Sequence, residues 1–205
     1  MIEKKTILIA GYYGFENTGD EAILSSILTD MRNRRQNLEF LVVSGNPEAT
    51  RKQHKVRSIL WTDISAIMDA CQQSDLILLG GGGLFHDYWG TTEENVLTQS
   101  HSGISFYSDF PILAALYKKP CILYSIGVGP LLTEAGKNLT RVSFENADIA
   151  TVRDIESLNL LQELGIATNN IKITADPAFN LHSDRKRASE ILKGVQRKGS
   201  PLVAV

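Results

Sequence analysis

The chain has 205 residues, of which 43% are hydrophobic and 21% are charged, a composition typical of a soluble globular protein with one large or two small domains. The net charge of −2 provides no overall basic field, so we expect no nucleic-acid partner. No run approaches the roughly 20 apolar residues that span a bilayer. Cys71 and Cys121 lie far apart in apolar surroundings. This favours a reducing compartment, and we expect a cytoplasmic protein.

Short apolar runs alternate with amphipathic stretches along the chain. The runs are rich in Ile, Leu and Val without polar alternation, a pattern typical of parallel strands covered on both faces. Seven strands are predicted: Thr6–Ala10, Glu39–Ser44, Leu76–Leu79, Cys121–Ile126, Ile149–Val152, Ile171–Thr174 and Leu202–Val205. Six helices are predicted: Glu21–Arg34, Asp63–Gln72, Phe110–Tyr117 (capped by Asp109), Glu134–Asn146 (capped by Thr133), Asp154–Leu164 and Asp184–Val195 (capped by Ser183).

This alternation predicts an α/β fold, a Rossmann-like parallel sheet with helices on both faces. Residues 1–200 would form this domain. The run Leu202–Val205 predicts either a last edge strand or the start of a truncated second domain at residues 201–205. In open sheets of this kind, ligands bind beyond the carboxyl ends of the strands. The residues that follow each strand are therefore the candidates for function.

The first strand leads into "GYYGFENTGDE", residues 11–21. The glycine spacing is not that of a dinucleotide fingerprint, and Asp20 and Glu21 stand where a P-loop needs Lys and Ser or Thr. A P-loop NTPase is therefore excluded. The two acids are explained either by the preference of carboxylates for a helix N-terminus or by a role in the site. Asn17 adds a neutral amide in the middle of the loop.

Four successive glycines, Gly80–Gly83, follow the third strand and open a long irregular stretch that extends to Ser108. A tight turn would need only one or two glycines. We therefore predict a ligand loop, in which the backbone approaches a ligand closely or presents successive N–H groups to an anion. His86 and Asp87 follow, either for acid–base chemistry or to cap the loop.

Three more strand ends carry candidate residues. Gly127 follows the fourth strand, Arg153 the fifth and Asp176 the sixth. The planar guanidinium of Arg153 suits a carboxylate or phosphate, with a salt bridge to Asp154 or Glu156 as the alternative. Together the strand ends predict a site for an anionic ligand. The sequence has neither the Cys/His spacing of a zinc site nor the G-x-S-x-G of a hydrolase, and we expect no metal.

Five segments in order, "GYYGFENTGDEAIL", "LILLGGGGLFHD", "SIGVGPL", "TVRDIESLNLLQELG" and "ITADPAF", resemble the polysaccharide pyruvyl transferase family, particularly its bacterial cell-wall members of the CsaB type. The resemblance implies the N-terminal half of a two-domain enzyme of the GT-B type. It also implies transfer of the enolpyruvyl group of phosphoenolpyruvate onto a lipid-linked or polymeric saccharide, of the N-acetylmannosamine type, as a cyclic ketal. Phosphoenolpyruvate is then the donor substrate and no cofactor is expected. An acceptor of this kind is compatible with peripheral association with a membrane.

The resemblance further implies roles for individual residues. Arg153 would bind the carboxylate or phosphate of the donor, and Asp20 would orient a sugar hydroxyl or act as a base. The acid that protonates the donor is expected in a C-terminal half. Two alternatives stay open at this point: a sugar-nucleotide glycosyltransferase of the same architecture, and a non-catalytic half-length binding domain. The predicted substrate-binding residues are Gly11, Gly14, Asn17, Gly81, Gly82, Gly83, Gly127, Arg153 and Asp176.

Overall fold

A computed structural model of the protein describes residues 4–181 and 185–193. The strands within these ranges are β1 (Lys5–Ala10), β2 (Leu38–Ser44), β3 (Arg57–Leu60), β4 (Leu76–Phe85), β5 (Cys121–Val128), β6 (Ile149–Val152) and β7 (Ile171–Ile173). The α-helices are α1 (Thr18–Arg34), α2 (Pro47–His54), α3 (Ile64–Gln73), α4 (Ile104–Tyr117), α5 (Glu134–Glu145), α6 (Ile155–Glu163) and α7 (Arg185–Lys193). Two short 3₁₀ helices cover Glu93–Asn95 and Pro177–Asn180.

The seven strands form one parallel sheet in the order β3-β2-β1-β4-β5-β6-β7. Alternate residues of β1 enter two separate cores: Ile7 and Ile9 pack with α1 on one face, while Leu8 and Ala10 pack with α3, α4 and α5 on the other. The predicted α/β fold with helices on both faces is confirmed. The order of the strands reverses between β1 and β4, so the crevice for a ligand opens at their carboxyl ends.

Helix α2 and strand β3 were not predicted from the sequence. Helix α2 reads "PEATRKQH" and buries only Thr50 and His54, so it lacks the apolar periodicity of an amphipathic helix. Its signals are local ones, with Asn46 as the cap and Pro47 in the first turn. Strand β3 has four residues at the edge of the sheet and is too short to predict with confidence from its pattern.

The four glycines lie inside β4, which continues to Phe85, and the predicted loop is wrong at this point. Gly82 and Phe85 pair with Ile126 and Val128 of β5 across an irregularity in the ladder. Gly81 and Gly82 have φ values of +60° and +96°, which other residues rarely adopt. Pairing with β5 therefore carries the chain onward as a strand through a backbone conformation that needs glycine.

Helix α4 starts at Ile104, and the predicted start at Phe110 with Asp109 as its cap is wrong. Asp109 is fully buried, accepts a hydrogen bond from the backbone N–H of Leu97 (2.7 Å) and pairs with His101 (2.5 Å). A carboxylate that serves a tertiary contact carries the same sequence signal as one that caps a helix. The predicted cap Ser183 and the predicted strand Leu202–Val205 lie outside the described residues.

Candidate functional site

A cleft of about 520 Å³ opens at the carboxyl edge of the sheet, beside the point where the strand order reverses. The N-terminus of α1, the end of β4, the residue after β6 and the segment after β7 form its walls. The lining residues are Gly19, Asp20, Ile23, Gly82, Gly83, Arg153, Asp176, Ala178 and Phe179. The cleft thus brings together five residues that the sequence analysis proposed from four different strand ends.

Asp20 lies in the first turn of α1, but it does not cap the helix. The cap is Asn17, whose amide oxygen accepts from the N–H groups of Gly19 (2.9 Å) and Asp20 (3.3 Å). The Asp20 carboxyl is therefore not needed for capping and faces the cleft. Burial, together with the nearby carboxylates of Glu21 and Asp176, raises the pKa of Asp20 to about 6, although Arg153 acts in the opposite direction.

Glu21 has a structural role. One of its oxygens accepts from the N–H of Gly14 (2.7 Å), and the other lies 3.0 Å from Nε2 of the buried His54. The hydrogen bond with His54, followed by that from Gly14, lowers the pKa of Glu21 against the opposing effect of burial. Glu21 therefore ties the β1–α1 loop to α2, while its neighbour Asp20 points to the cleft.

Arg153 follows β6 directly, and its backbone N–H donates to the carbonyl of Ile126. Nε lies 3.4 Å from Asp154, and the side chain is 39% exposed. The guanidinium lies over Gly127 and Gly83, where built Cβ atoms would come within 2.5 Å of Nε and 3.3 Å of Nη2. Asp154 also caps α6 by accepting from Ser157 (2.7 Å). The salt bridge considered as an alternative is present, and Arg153 nevertheless lines the cleft.

Asp176 lines the cleft from the segment that follows β7. It caps the 3₁₀ helix Pro177–Asn180 by accepting from the N–H of Ala178 (2.9 Å). Ser26 of α1 donates to the carbonyl of Pro177 (2.6 Å), and Ser125 donates to that of Ala175 (2.9 Å). These bonds hold the segment after β7 against α1 and β5, which brings the Asp176 carboxylate close to Asp20.

The remaining predicted site residues are not among those that line the cleft. Gly11 packs under the ring of Tyr13, Gly14 packs against Ser44, and Gly81 packs against Ile23. Asn17 borders a neighbouring cavity together with Asp20. The three glycines therefore have a packing role, and Asn17 has a capping role.

Of the neighbouring pair His86 and Asp87, only His86 borders a cavity. Asp87 is buried and accepts from the N–H groups of Leu132 (2.5 Å) and Thr133 (2.8 Å) and from the Thr133 hydroxyl (2.5 Å). Burial opposes ionisation of Asp87, but these bonds prevail and keep its pKa below the usual value. Asp87 thus fixes the connection between β5 and α5.

The sequence analysis did not single out Phe179, although it lines the cleft and is 83% exposed. The usable signal was the position of this ring in the segment after β7, at the carboxyl edge of the sheet where ligands bind. Tyr12 and Trp89, which border the neighbouring cavity, also follow strand ends and were also not predicted.

No helix within residues 4–181 and 185–193 combines the length and the apolar character needed to cross a membrane.

Comparison with known proteins agrees with this architecture. In the archaeon Methanocaldococcus jannaschii, the UDP-GlcNAc 2-epimerase structure matches with a TM-score of 0.59 at 8% identity, covering 95% of this chain and 54% of that one. The UDP-GlcNAc 2-epimerase from Neisseria meningitidis, bound to UDP-GlcNAc, matches with a TM-score of 0.55 at 12% identity over 93% of this chain and 54% of that one. These neighbours are GT-B-like enzymes, and at such identities they show the fold alone.

At the level of sequence, the chain is similar to the amylovoran biosynthesis protein AmsJ of Erwinia amylovora, with 24% identity over 84% of this chain and 48% of AmsJ. The chain thus spans about half the length of the curated relative that it matches. The sequence profile of the polysaccharide pyruvyl transferase family matches residues 17–201. The chain therefore belongs to the polysaccharide pyruvyl transferase family.

Proposed function

We propose that this chain contributes the donor-binding and acceptor-activating half of an enzyme that transfers the enolpyruvyl group of phosphoenolpyruvate to a saccharide. The acceptor would be a lipid-linked or polymeric sugar of the N-acetylmannosamine type. The observation that carries the proposal is the presence, in one cleft, of a cationic Arg153 and of Asp20 with a pKa of about 6.

The donor is an anion with both a carboxylate and a phosphate, and it needs a positive partner. Arg153 supplies a planar fork of N–H donors at a position that two glycines keep clear of side chains. Asp20 and Asp176 would repel the donor from the α1 side of the cleft. The donor anion is therefore expected near Arg153, with its reactive carbon turned toward Asp20.

Asp20 suits the role of a general base for the acceptor. A carboxyl with a pKa near 6 is ionised at neutral pH yet is more basic than an ordinary aspartate, which favours removal of a proton from a hydroxyl in the transition state. Its location in the first turn of α1 does not engage it in capping.

The reaction balances without a cofactor. A proton adds to the methylene carbon of phosphoenolpyruvate, and the central carbon gains oxocarbenium character. Two hydroxyls of the sugar bond to that carbon and each loses a proton, while the C–O bond to phosphate breaks. One of these protons offsets the proton added to the methylene carbon, and the other leaves with the inorganic phosphate. The chain would provide charge stabilisation through Arg153 and proton removal through Asp20. We expect the acid for the methylene carbon to come from outside residues 1–205.

The test is release of phosphate from phosphoenolpyruvate in the presence of nitrophenyl N-acetylmannosaminide, with the chain expressed together with any sequence that its gene encodes beyond Val205. We expect release that depends on the acceptor, and a loss of at least 100-fold in kcat/KM for Arg153→Ala. Arg35→Ala is the matched control, because Arg35 is exposed at the end of α1, away from the cleft.

Two results would contradict the proposal. The first is an absence of acceptor-dependent phosphate. The second is stabilisation of the protein against heat by a UDP-sugar but not by phosphoenolpyruvate, which would instead support a sugar-nucleotide glycosyltransferase. Full activity of Arg153→Ala would remove Arg153 from the site and leave the reaction class intact.

A further inference from the structure

A second cavity, of about 460 Å³, adjoins the first cleft, and Arg153 is not among its lining residues. It shares Asp20 and Gly83 with the first cleft, so the Asp20 carboxyl stands between the two. Its lining residues are Tyr12, Asn17, Asp20, Gly83, Leu84, His86, Trp89, Gly103 and Tyr107. We name it the aromatic pocket, because three of these residues carry aromatic rings other than histidine.

The aromatic pocket presents flat apolar surfaces to the solvent. Trp89 is 92% exposed, and Tyr12 is 41% exposed with its ring stacked on Phe15 at 4.5 Å. The stacking fixes the orientation of the Tyr12 ring. An exposed indole at the mouth of a cavity is suited to packing against a ligand, and the C–H-rich face of a pyranose ring is an apolar surface of matching size.

One polar atom of the pocket lining lacks a partner. Nδ1 of His86 is buried without a hydrogen bond. Buried polar atoms are normally paired, and an unpaired one at a cavity calls for a ligand or water. Asn17 uses its amide oxygen for the cap of α1, which leaves its NH₂ group as a donor.

The charges favour a neutral ligand. Among the residues that the structure describes, neither Lys nor Arg lines the pocket, in contrast to the first cleft with Arg153. The carboxylate that these residues supply to its wall is that of Asp20, which would repel a phosphate but accepts hydrogen bonds from hydroxyls. The lining therefore combines ring faces, an amide donor, an imidazole and a carboxylate, a set that suits an uncharged polyhydroxylated ring.

We infer that the aromatic pocket is a subsite for a pyranose ring of the acceptor, stacked on Trp89, with one hydroxyl directed to Asp20. The assignment of this ring to the acceptor rests on the proposed function. The donor and the acceptor then reach Asp20 from two adjoining cavities, Arg153 holding the first and Trp89 the second. This arrangement accounts for the position of Asp20 in the shared wall.

Binding of saccharides tests the inference without any need for turnover. The chain has two tryptophans, Trp61 and Trp89. In a Trp61→Phe background, the emission of Trp89 is recorded during titration with methyl glycosides of N-acetylmannosamine, N-acetylglucosamine, glucose and galactose. We expect a saturable change for at least one glycoside. By calorimetry on the otherwise unaltered chain, Trp89→Ala should weaken that binding at least tenfold.

Leu116→Ala is the matched control, because Leu116 is 63% exposed on α4 and lines neither the first cleft nor the aromatic pocket. It should leave the dissociation constant of the glycoside within twofold. Thermal melting of both variants checks that they fold, which their exposure leads us to expect.

The outcomes separate this inference from the proposed function. Binding that depends on Trp89, together with an absence of acceptor-dependent phosphate release when the chain is expressed with any sequence that its gene encodes beyond Val205, supports the subsite and contradicts pyruvyl transfer. Acceptor-dependent release of phosphate with an acceptor KM that Trp89→Ala does not change overturns the subsite and leaves the transfer intact. Failure of every glycoside to bind, or equal binding by Trp89→Ala, also overturns it.

Discussion

The guanidinium of Arg153 lies against the backbone of Gly127, in space that any larger residue at position 127 would occupy. A Cβ atom built on Gly127 would lie 2.5 Å from Nε and 2.8 Å from Cζ of Arg153. The end of β6 therefore carries the cation, and Gly127 of the neighbouring strand β5 leaves the space that the guanidinium occupies.

Gly127→Ala should displace Arg153 and raise the KM for phosphoenolpyruvate at least tenfold. The physical reason is steric, since the added methyl group and the guanidinium cannot occupy the same volume. A double-mutant cycle is the measurement, with the substitution made in the native chain and in Arg153→Ala. An effect of equal size in both backgrounds would contradict this account, because no guanidinium would then be left to displace.

The rate of pyruvyl transfer should depend on the ionisation of Asp20. Burial raises its pKa to about 6, so kcat/KM should fall below about pH 6 as the base becomes protonated. Asp20→Asn should lower kcat by at least 100-fold and abolish this acidic limb in the activity that is left. A pH profile of phosphate release checks both. An unchanged limb in Asp20→Asn would assign it to another group.

Asp20→Asn should also make the protein more stable at pH 8. The folded-state pKa of about 6 lies above the ordinary value of 3.8, so the folded form favours the proton and loses stability as the pH rises from about 4 to 6. Asparagine cannot ionise and avoids this loss. We expect a gain of about 1 kcal/mol at pH 8, less than the full shift implies because solvent reaches the half-buried carboxyl. Denaturant unfolding at pH 8 and pH 4 measures it; a gain that persists at pH 4 would contradict the assignment to ionisation.

Gly81→Ala should destabilise the fold by about 2–4 kcal/mol, the sum of left-handed backbone strain and overpacking. Gly81 has φ +60°, and a Cβ there would lie within van der Waals overlap of Cγ2 of Ile23 in α1. Urea unfolding gives the value. In the Gly81→Ala variant, Ile23→Val keeps Cγ2 and should recover little of the lost stability. Ile23→Ala removes Cγ2 and should relieve its contact with the new methyl group. Equal unfolding free energies for Gly81→Ala and the native chain would contradict the close approach.

Two substitutions of Asp109, which forms a buried pair with His101, should differ in their cost to stability. Nε2 of His101 lies 2.8 Å from the carbonyl of Trp61 and donates to it, so Nδ1 can accept from an amide at position 109. Asp109→Asn therefore keeps partners for His101 and for the N–H of Leu97. Asp109→Ala leaves Nδ1 of His101 and the N–H of Leu97 unpaired and should lower the free energy of unfolding by about 3 kcal/mol. Asp109→Asn should lower it by less than half of that. Equal losses in thermal unfolding would contradict these roles.

Several elements were predictable because their signals are local. Strand β1 was predictable from its buried run of Ile and Leu, and β6 was predicted with its observed bounds. Helix α5 starts at Glu134 after its cap Thr133, as predicted, since a cap hydrogen bond joins residues a few positions apart. Such interactions join residues that are close in sequence, so they form without contributions from distant parts of the fold.

The tertiary structure decided the features that depend on distant partners. The tetraglycine run became a strand because β5 lies beside it and α1 packs over it, neither of which its own sequence contains. Asp109 is buried in the core because the N–H of Leu97 and the imidazole of His101 pair with its carboxyl group.

The candidate site divides in the same way. The sequence alone determined that Asp20, Arg153 and Asp176 follow three different strands, and the parallel order of the sheet then required these ends to share one edge. The pKa of Asp20 was decided by folding, because burial and the approach of Asp176 from more than 150 positions away act only in the assembled cleft. The aromatic pocket likewise exists only where the β1–α1 loop and the segment after β4 meet.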